Sequence, residues 1–571
     1  MVDAVLSRTV SPPSSDAVTS IARHTRNLPV WVWLISIVLL PNLLLVGVSF
    51  LKVSNGLLVL QAGVTTYLRL WHSASFAELL GRTLGTSFFA ACIGLLIAYP
   101  MGYYAARVVQ RNQALAVVLV VIPLWISLLM RVFAWRMILG QNGILNSFLV
   151  SSGFISTPSS AFLYTPFAVL LTYVYIAIPY IFVASFTALE KIPQSLIEAS
   201  QDSGASSLQT FRHVILPLSL PSVAIGVSLA FLTTVGDYVT PSMVGGLDGT
   251  MLGTVIASQF GVANNWPYGA AVAVVLMLGA ALVLGLIIAV SRSRGILTGD
   301  EGARPRPMGI ALTGSQRLLR VAGFLCFCLP YIFLYAPLLV MVLFSLNDSK
   351  VQAFPLQGFS LRWYRELWTT PGLLEAVQRS LVVAAFVVTL STIVGTGFAL
   401  LIHHSRSRIL HGCEFLLAFP IAVPGVVLGI TMVLGMQLLS VPQGIPRIVI
   451  GQSSFVMPVI LLIVLARLRR LDPAILEASL DSGAGPLRSF IYVLLPMIRN
   501  VIIGGALLGL TLSVDDVMVT LFLSGTEPTL PIWVWNQMRF GFTPSVNAIF
   551  TLVGAVSLIL VGFFSRLVEQ R

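Results

Sequence analysis

The chain has 571 residues, 57% of them hydrophobic and only 9% charged, with a mean hydropathy of +0.93. A soluble domain carries about a quarter charged residues, so a soluble enzyme is excluded as the class and the chain reads as an integral membrane protein. The formal charge of +12 does not point to nucleic acid, because the basic residues collect at the ends of apolar runs, where membrane topology puts them.

Residues 1–29 form a polar tail holding Arg8, Arg23 and Arg26. An apolar run of bilayer-spanning length follows. No small-residue cleavage site follows that run, so it reads as a retained first span rather than a removed signal. Apolar runs of this length centre on 30–51, 83–108, 115–137, 163–188, 217–240 and 268–290. A second set centres on 321–346, 380–402, 414–439, 452–468, 495–522 and 545–565. Lipid offers no partner to an unpaired peptide group, so each run is expected as a helix. Residues 291–317 between the sets are charged, contain Gly and Pro, and lack apolar periodicity; they read as a linker. The fold class is therefore an all-α membrane protein of twelve transmembrane helices in two six-helix modules, 30–290 and 318–571. Arg107, Arg111, Lys191 and Arg212 in the first half fall on the linker's side, as do Arg406, Arg408, Arg467, Arg469, Arg470 and Arg488 in the second. The stretch 241–267 has no Lys or Arg and 523–544 has only Arg539, whereas 347–379 runs against the trend with four basic residues. The balance predicts that both termini are cytoplasmic.

One polar sentence is written twice. Residues 198–216 read EASQDSGASSLQTFRHVIL and residues 477–495 read EASLDSGAGPLRSFIYVLL, each followed by Pro. At an offset of 279, the windows 198–237 and 477–516 share 16 identities in 40 positions. Both copies follow the fourth span of a six-span unit, so the repeats are parallel and related by an axis along the membrane normal, with a seam between them. Pro193 and Pro473 suit the first turn of a helix. Gly204 and Gly483 then break it. A second short helix is expected over 208–215 and 487–494, closed by Leu-Pro, which opens the next span. Each copy thus predicts a cytoplasmic helix–bend–helix connector with an apolar anchor, Leu208 and Phe211 in the first.

The pattern Glu-Ala-Ser, Gly four residues on, then Leu-Pro resembles the EAA loop of ABC importer permeases. The matching residues are Glu198, Ala199, Gly204, Leu208 and Pro217 in the loop at 190–216, and Glu477, Ala478, Gly483, Leu487 and Pro496 in the loop at 469–495. Ser200 and Ser479 stand where many members have Ala. The resemblance implies that each loop docks into one of two cytoplasmic ATPase copies, that ATP and Mg bind there and not on this chain, and that a periplasmic binding protein delivers a small solute. It implies the bacterial inner membrane and two permease units in pseudo-two-fold arrangement. MRVFAWRMILGQNGILNSFL (130–149) and GDYVTPSMVGG (236–246) are similar to the first permease subunit of spermidine/putrescine importers. SLNDSKVQAFPLQGFSLRWYRELW (345–368) and SVDDVMVTLFLSG (513–525) are similar to their second. Related permeases for ferric iron, thiamine, phosphonates and opines share part of that pattern.

Asp237, Asp515 and Asp516 stand late in the fifth span of each half. From Pro217 to Asp237 a helix climbs about 30 Å at about 1.5 Å per residue, nearly the whole hydrocarbon thickness. Two readings stay open: acids that cap a helix end, or acids that face the seam and attract a polycation. Tyr238, Trp135 and Trp535 are either cation–π partners or interface-belt aromatics. The chain has no P-loop pattern and no catalytic triad or metal-ligand spacing; no enzyme activity is expected of it. A gradient-driven secondary transporter is the alternative class.

Overall fold

A computed structural model describes residues 27–292 and 316–569, apart from 55–56, 60, 110–111, 406–407 and 541–543. The expected tail 1–29 and linker 291–317 lie almost wholly outside the described residues.

The first half runs α1 (Asn27–Ser49), a two-stranded hairpin β1 (Lys52–Ser54) and β2 (Leu57–Val59), α2 (Ala74–Arg107), α3 (Gln113–Trp125), α4 (Leu128–Leu139), α5 (Pro166–Glu190), α6 (Gln194–Asp202), α7 (Ser207–Val235), α8 (Leu252–Phe260) and α9 (Trp266–Arg292). The second half repeats the helices in order: α10 (Gln316–Ser345), α11 (Leu373–His404), α12 (Arg408–Ala422), α13 (Gly425–Leu438), α14 (Ile445–Leu468), α15 (Pro473–Asp481), α16 (Pro486–Asp515), α17 (Leu530–Phe540) and α18 (Pro544–Glu569). Small contacts repeat with them. The Leu252 N–H that starts α8 donates to the Thr83 hydroxyl at 3.0 Å, and the Leu530 N–H that starts α17 donates to the Ser380 hydroxyl at 2.8 Å.

Nine of the described helices are long and apolar enough to cross a bilayer. The third span of each half departs from the expected straight helix. α3 meets α4 at a 90° bend, and α12 meets α13 at 109°. Pro123 sits in a 3-10 turn just before the first bend, with Ser127 in an extended backbone; Pro424, also extended, makes the second. Proline withholds an N–H and clashes with the carbonyl four residues back, so a helix kinks or breaks there.

The same clash is absorbed differently in the straight spans. Just ahead of Pro41, Pro217 and Pro496 the helix widens into a π turn, at Leu34–Leu39, Phe211–Ile215 and Phe490–Leu494. There the residue before the proline bonds to a carbonyl five residues back, Leu216 to Phe211 and Leu495 to Phe490. The helix therefore continues through the proline. This corrects the expected short second arm: 208–215 and 487–494 are the first turns of α7 and α16, not separate helices.

Within each half a hairpin-like core of close helices forms on small residues, as expected where lipid gives helices no hydrophobic drive to associate. Gly94 of α2 lies on Ala177 of α5, where an added Cβ would approach to 2.9 Å. Gly395 of α11 lies on the Met457 carbonyl of α14 at 3.0 Å by the same measure. The first helix of each half crosses to the other. Trp33 of α1 meets Phe398 of α11, and Pro41 of α1 packs on Gly435 of α13. Reciprocally, on α10 the hydroxyls of Tyr331 and Tyr335 donate to the carbonyls of Ala116 and Leu119 at 2.9 and 2.8 Å. The two halves thus clasp one another.

Candidate functional site

At one end of the bundle the two repeated sentences form exposed knobs. α6 and α15 are the first arms, opened by Pro193 and by Asp472–Pro473, where the Asp472 carboxylate accepts from the Ala474 N–H at 3.0 Å. Glycine then turns the chain at φ +86° (Gly204) and +81° (Gly483), the left-handed region that a Cβ resists. Nothing lies within 4 Å of a Cβ at either glycine, so conformation alone requires glycine there. Across the bend the hydroxyls of Ser200 and Thr210 are bonded at 3.1 Å, and those of Ser479 and Ser489 at 2.9 Å. The serines that depart from the family's usual alanine thus tie the first arm to the second. Glu198, Ala199, Glu477 and Ala478 are exposed. Leu208 and Leu487 are 75% and 70% exposed, apolar side chains standing in solvent on both knobs. Pro217 and Pro496 lie within the continuous helices α7 and α16, so each knob is the end of a rod that runs to the far side.

The far ends of the rods meet at the axis of the repeat. The Tyr238 hydroxyl donates to the Val517 carbonyl at 3.3 Å; these two positions are equivalent at the 279-residue offset. Asp237, 1% exposed, folds back on its own chain and accepts from the N–H groups of Val239 (2.7 Å) and Thr240 (3.2 Å). Asp516 accepts from the N–H of Val519 (3.3 Å) and from the N–H (2.9 Å) and hydroxyl (2.6 Å) of Thr520. Both carboxylates end one helix and start the next turn, the capping reading of the two held open above. Asp515 reaches across the seam: both its oxygens accept from the Leu128 N–H, at 3.1 and 3.2 Å, at the start of α4. Its equivalent in the first half, Gly236, lies against Pro424 and Gly425 at the start of α13. Each rod therefore ends on the broken third span of the opposite half.

Outside this meeting point opens a cavity of about 980 Å³ between the halves. Tyr238 forms part of its wall, with Tyr164, Phe260, Phe522, Trp535 and Arg136. The Arg136 guanidinium donates to the Tyr164 hydroxyl at 2.7 Å and stacks on that ring at 5.5 Å. A side chamber of about 360 Å³ shares Phe260 and Phe522 and adds Gln437, Gln443 and Arg447. Asp237, Asp515 and Asp516 do not line the cavity; they lie beneath its Tyr238 wall. Trp135 is 6% exposed and packs on Tyr175 and Phe333, so it braces α4 against α10. Two cationic residues were passed over by an inspection that looked only for acids. Arg136 sits at the cavity, and Arg131, 4% exposed, is buried beside the carboxylates. The signal for both was a charge inside an apolar run. A polar lock in the second half was also missed: Gln452 donates to the Thr520 hydroxyl at 2.8 Å and accepts from the Ser513 hydroxyl at 2.5 Å.

Comparison with known proteins fits this duplicated plan. The model of the family described as binding-protein-dependent transport system inner membrane component matches residues 94–295 and again 388–571. The spermidine/putrescine transport system permease protein PotB of Haemophilus influenzae is 34% identical over 256 residues, 45% of this chain and 89% of its own. PotB of Escherichia coli K12 is 33% identical over 259 residues, 45% of this chain and 92% of its own. The putrescine transport system permease protein PotI of Escherichia coli K12 is 37% identical over 246 residues, 42% of this chain and 86% of its own. The crystal structure of a bacterial ABC transporter that imports alginate aligns with a TM-score of 0.39 and 16% identity, over 49% of this chain and 97% of that one. With a knob, a rod and a family match in each half, the chain belongs to the binding-protein-dependent transport system inner membrane components and carries that unit twice.

Proposed function

We propose that this chain alone forms the membrane pathway of an ATP-driven polyamine importer, with residues 30–290 and 318–571 as its two permease units and 291–317 as a cytoplasmic linker. The observation that carries the reading is the pair of exposed knobs, each continuous with a helix whose other end meets the opposite half at the seam. Two copies of a separate ATPase grip the knobs through Glu198, Ala199, Gly204 and Leu208 and through Glu477, Ala478, Gly483 and Leu487. ATP and Mg bind on that partner. Because no break separates knob from span at Pro217 or Pro496, closure of the ATPase pair tilts α7 and α16 as levers, and the seam at Tyr238–Val517 opens. The knobs and both termini face the cytoplasm, and the cavity faces a periplasmic binding protein that delivers the solute.

Spermidine or putrescine as the solute is supported by the relatives' transport of those compounds and by the aromatic faces of Tyr238, Phe522 and Trp535 at the cavity, since ammonium groups are attracted to such faces. Asp237, Asp515 and Asp516 lie one layer further along the same path. A second reading, an anionic solute, has Arg136 at the cavity in its favour.

The test is uptake into proteoliposomes holding the permease and its ATPase, with the binding protein added outside. ATP-dependent spermidine uptake is expected, unaffected by an excess of phosphonate or opine. Competition by an anionic compound would favour the second reading, and uptake without any ATPase would overturn the importer. Gly204→Pro or Glu198→Arg is expected to abolish co-purification of the ATPase while the permease stays folded; unchanged co-purification would remove the knobs from the mechanism.

A further inference from the structure

Arg131 lies on α4, one turn past the bend that Asp515 caps. It is 4% exposed, and its Nε and Nη1 have no hydrogen-bond partner among the described residues. A buried guanidinium used as a brace fills its donors, as part of Arg107 does: one nitrogen of that side chain donates to the carbonyls of Leu189 and Ile192 at 2.6 and 2.7 Å. Arg131 instead faces charge. It lies within electrostatic reach of Asp515 from the second half and of Asp237 from the first. Tyr175 and Tyr180 of α5 lie on its other side. The two carboxylates already receive backbone N–H groups, from Leu128 and from Val239 and Thr240. Arg131 therefore adds charge to them and no geometry that the chain lacks without it. Immediately above, Tyr238 and Val517 close the floor of the cavity through a single hydrogen bond at the repeat axis.

We infer that Arg131 is a tethered counter-cation, occupying between Asp237 and Asp515 the place that an ammonium group of the solute takes when the Tyr238–Val517 contact parts. This inference rests on the polyamine reading and names the residue that competes with the solute. Without solute, Arg131 neutralises carboxylates drawn from both halves and so holds the seam shut from below. A solute carrying two or more ammonium groups displaces it and opens the seam in the same step. A neutral or singly charged solute exchanges poorly, because removing one cation from two buried acids must be matched by another of equal reach. Selectivity for polycations then arises below the cavity, although Arg136 stands on its wall.

The test measures binding of radiolabelled spermidine to the assembled permease–ATPase complex in nanodiscs, with no binding protein present. Arg131→Gln is expected to bind spermidine about tenfold more tightly than the wild type, the effect of removing one competing contact. Arg131→Lys should bind as the wild type does, because it keeps the charge. Arg131→Gln combined with Asp515→Asn should lose the gain. Equal spermidine affinity in Arg131→Gln and wild type, with the complex intact, overturns the inference. Should Arg131→Gln fail to assemble, Arg131→Met replaces it with a side chain suited to an apolar site; failure of both to assemble makes Arg131 a structural brace and also overturns the inference. ATP-driven uptake of spermidine by the wild-type protein, measured in parallel, separates the two ideas: its absence overturns the polyamine reading, whereas its presence with unchanged affinity in Arg131→Gln overturns the counter-cation alone.

Discussion

The two corners where the rods meet the opposite half occupy equivalent positions and use different chemistry. In the first half Gly236 brings backbone against Pro424 and Gly425, so close that an added Cβ would fall 2.4 Å from the Pro424 Cβ and 2.8 Å from its Cα. In the second half the equivalent Asp515 holds the opposite bend with a carboxylate on the Leu128 N–H. Behind the corners the contrast repeats. Tyr173 donates to the Asp237 carbonyl at 3.5 Å, while its equivalent Gln452 bonds Ser513 and Thr520. One corner is held by shape and the other by hydrogen bonds. Duplication has preserved the route of the chain and left the side chains at the seam free to diverge, so a pathway between two similar halves acquires a polar side and an apolar side.

The comparison is broken most severely at Gly236. Gly236→Ala drives a methyl into the backbone of Pro424, which cannot swing aside as a side-chain tip can. Overpacking of this kind costs about 1–3 kcal/mol and occasionally more, so thermal unfolding of the purified permease should shift down by several degrees and uptake should fall with it. Asp515→Gly, which gives the second corner the first one's residue, should be milder, because it removes an acceptor without forcing a clash. Equal melting temperatures for Gly236→Ala and the wild type would mean that the halves do not meet where described. Next comes Arg107→Ala. It strands the buried carbonyls of Leu189 and Ile192 that this side chain satisfies, and an unsatisfied buried group costs about 1–3 kcal/mol. The melting shift should be smaller than for Gly236→Ala, since some water can reach the base of a knob.

At the knobs themselves the two halves are alike, and equality is the expected outcome. Gly204→Ala and Gly483→Ala each put a Cβ into a left-handed turn, at about 1–2 kcal/mol per residue, with no steric neighbour to add to it. Both should weaken ATPase co-purification to a similar extent; a large difference between them would mean that the partner reads the two knobs unequally.

How much of this was legible follows from where physics leaves marks in sequence. Spans were legible because lipid demands long apolar helices, and the knobs because EASQDSGA and EASLDSGA are polar words in an apolar text. The bends in the third spans were not. Pro123 and Pro424 look no different from Pro179 and Pro458, which lie inside straight helices, and the π turns before Pro217 and Pro496 show that neighbouring packing decides between a bend and a bulge. The exchange of α1 and α10 between halves was hidden for a related reason: hydropathy states that a helix faces apolar surroundings, not whose. Asp237 and Asp516 could be placed at the helix ends but not assigned a task, since a cap and a cation site call for the same carboxylate. Arg131 left the plainest mark, a cation in mid-span, and was passed over because acids alone were sought there.

The smallest expected effect separates the bases of the two knobs. Where the first half has Arg107, the second has His404, whose ring bonds back to the Leu400 carbonyl at 3.0 Å of its own helix. The base of the second knob is tied instead by Arg469 and Glu414, an ion pair at 2.6 Å whose side chains are 47% and 22% exposed. A pair this open to solvent contributes about 0–1 kcal/mol, and its attraction is screened once the Debye length falls to about 3 Å near 1 M salt. The Arg107 anchor is buried and bonds carbonyls, so salt has little hold on it. Arg469→Ala should therefore lower ATPase coupling slightly in low salt and not at all in high salt, while the loss caused by Arg107→Ala should persist at both. ATPase activity measured across a salt series for the two variants decides the matter: parallel curves would mean that both knobs rest on the same kind of anchor, and that the difference between His404 and Arg107 has no mechanical consequence.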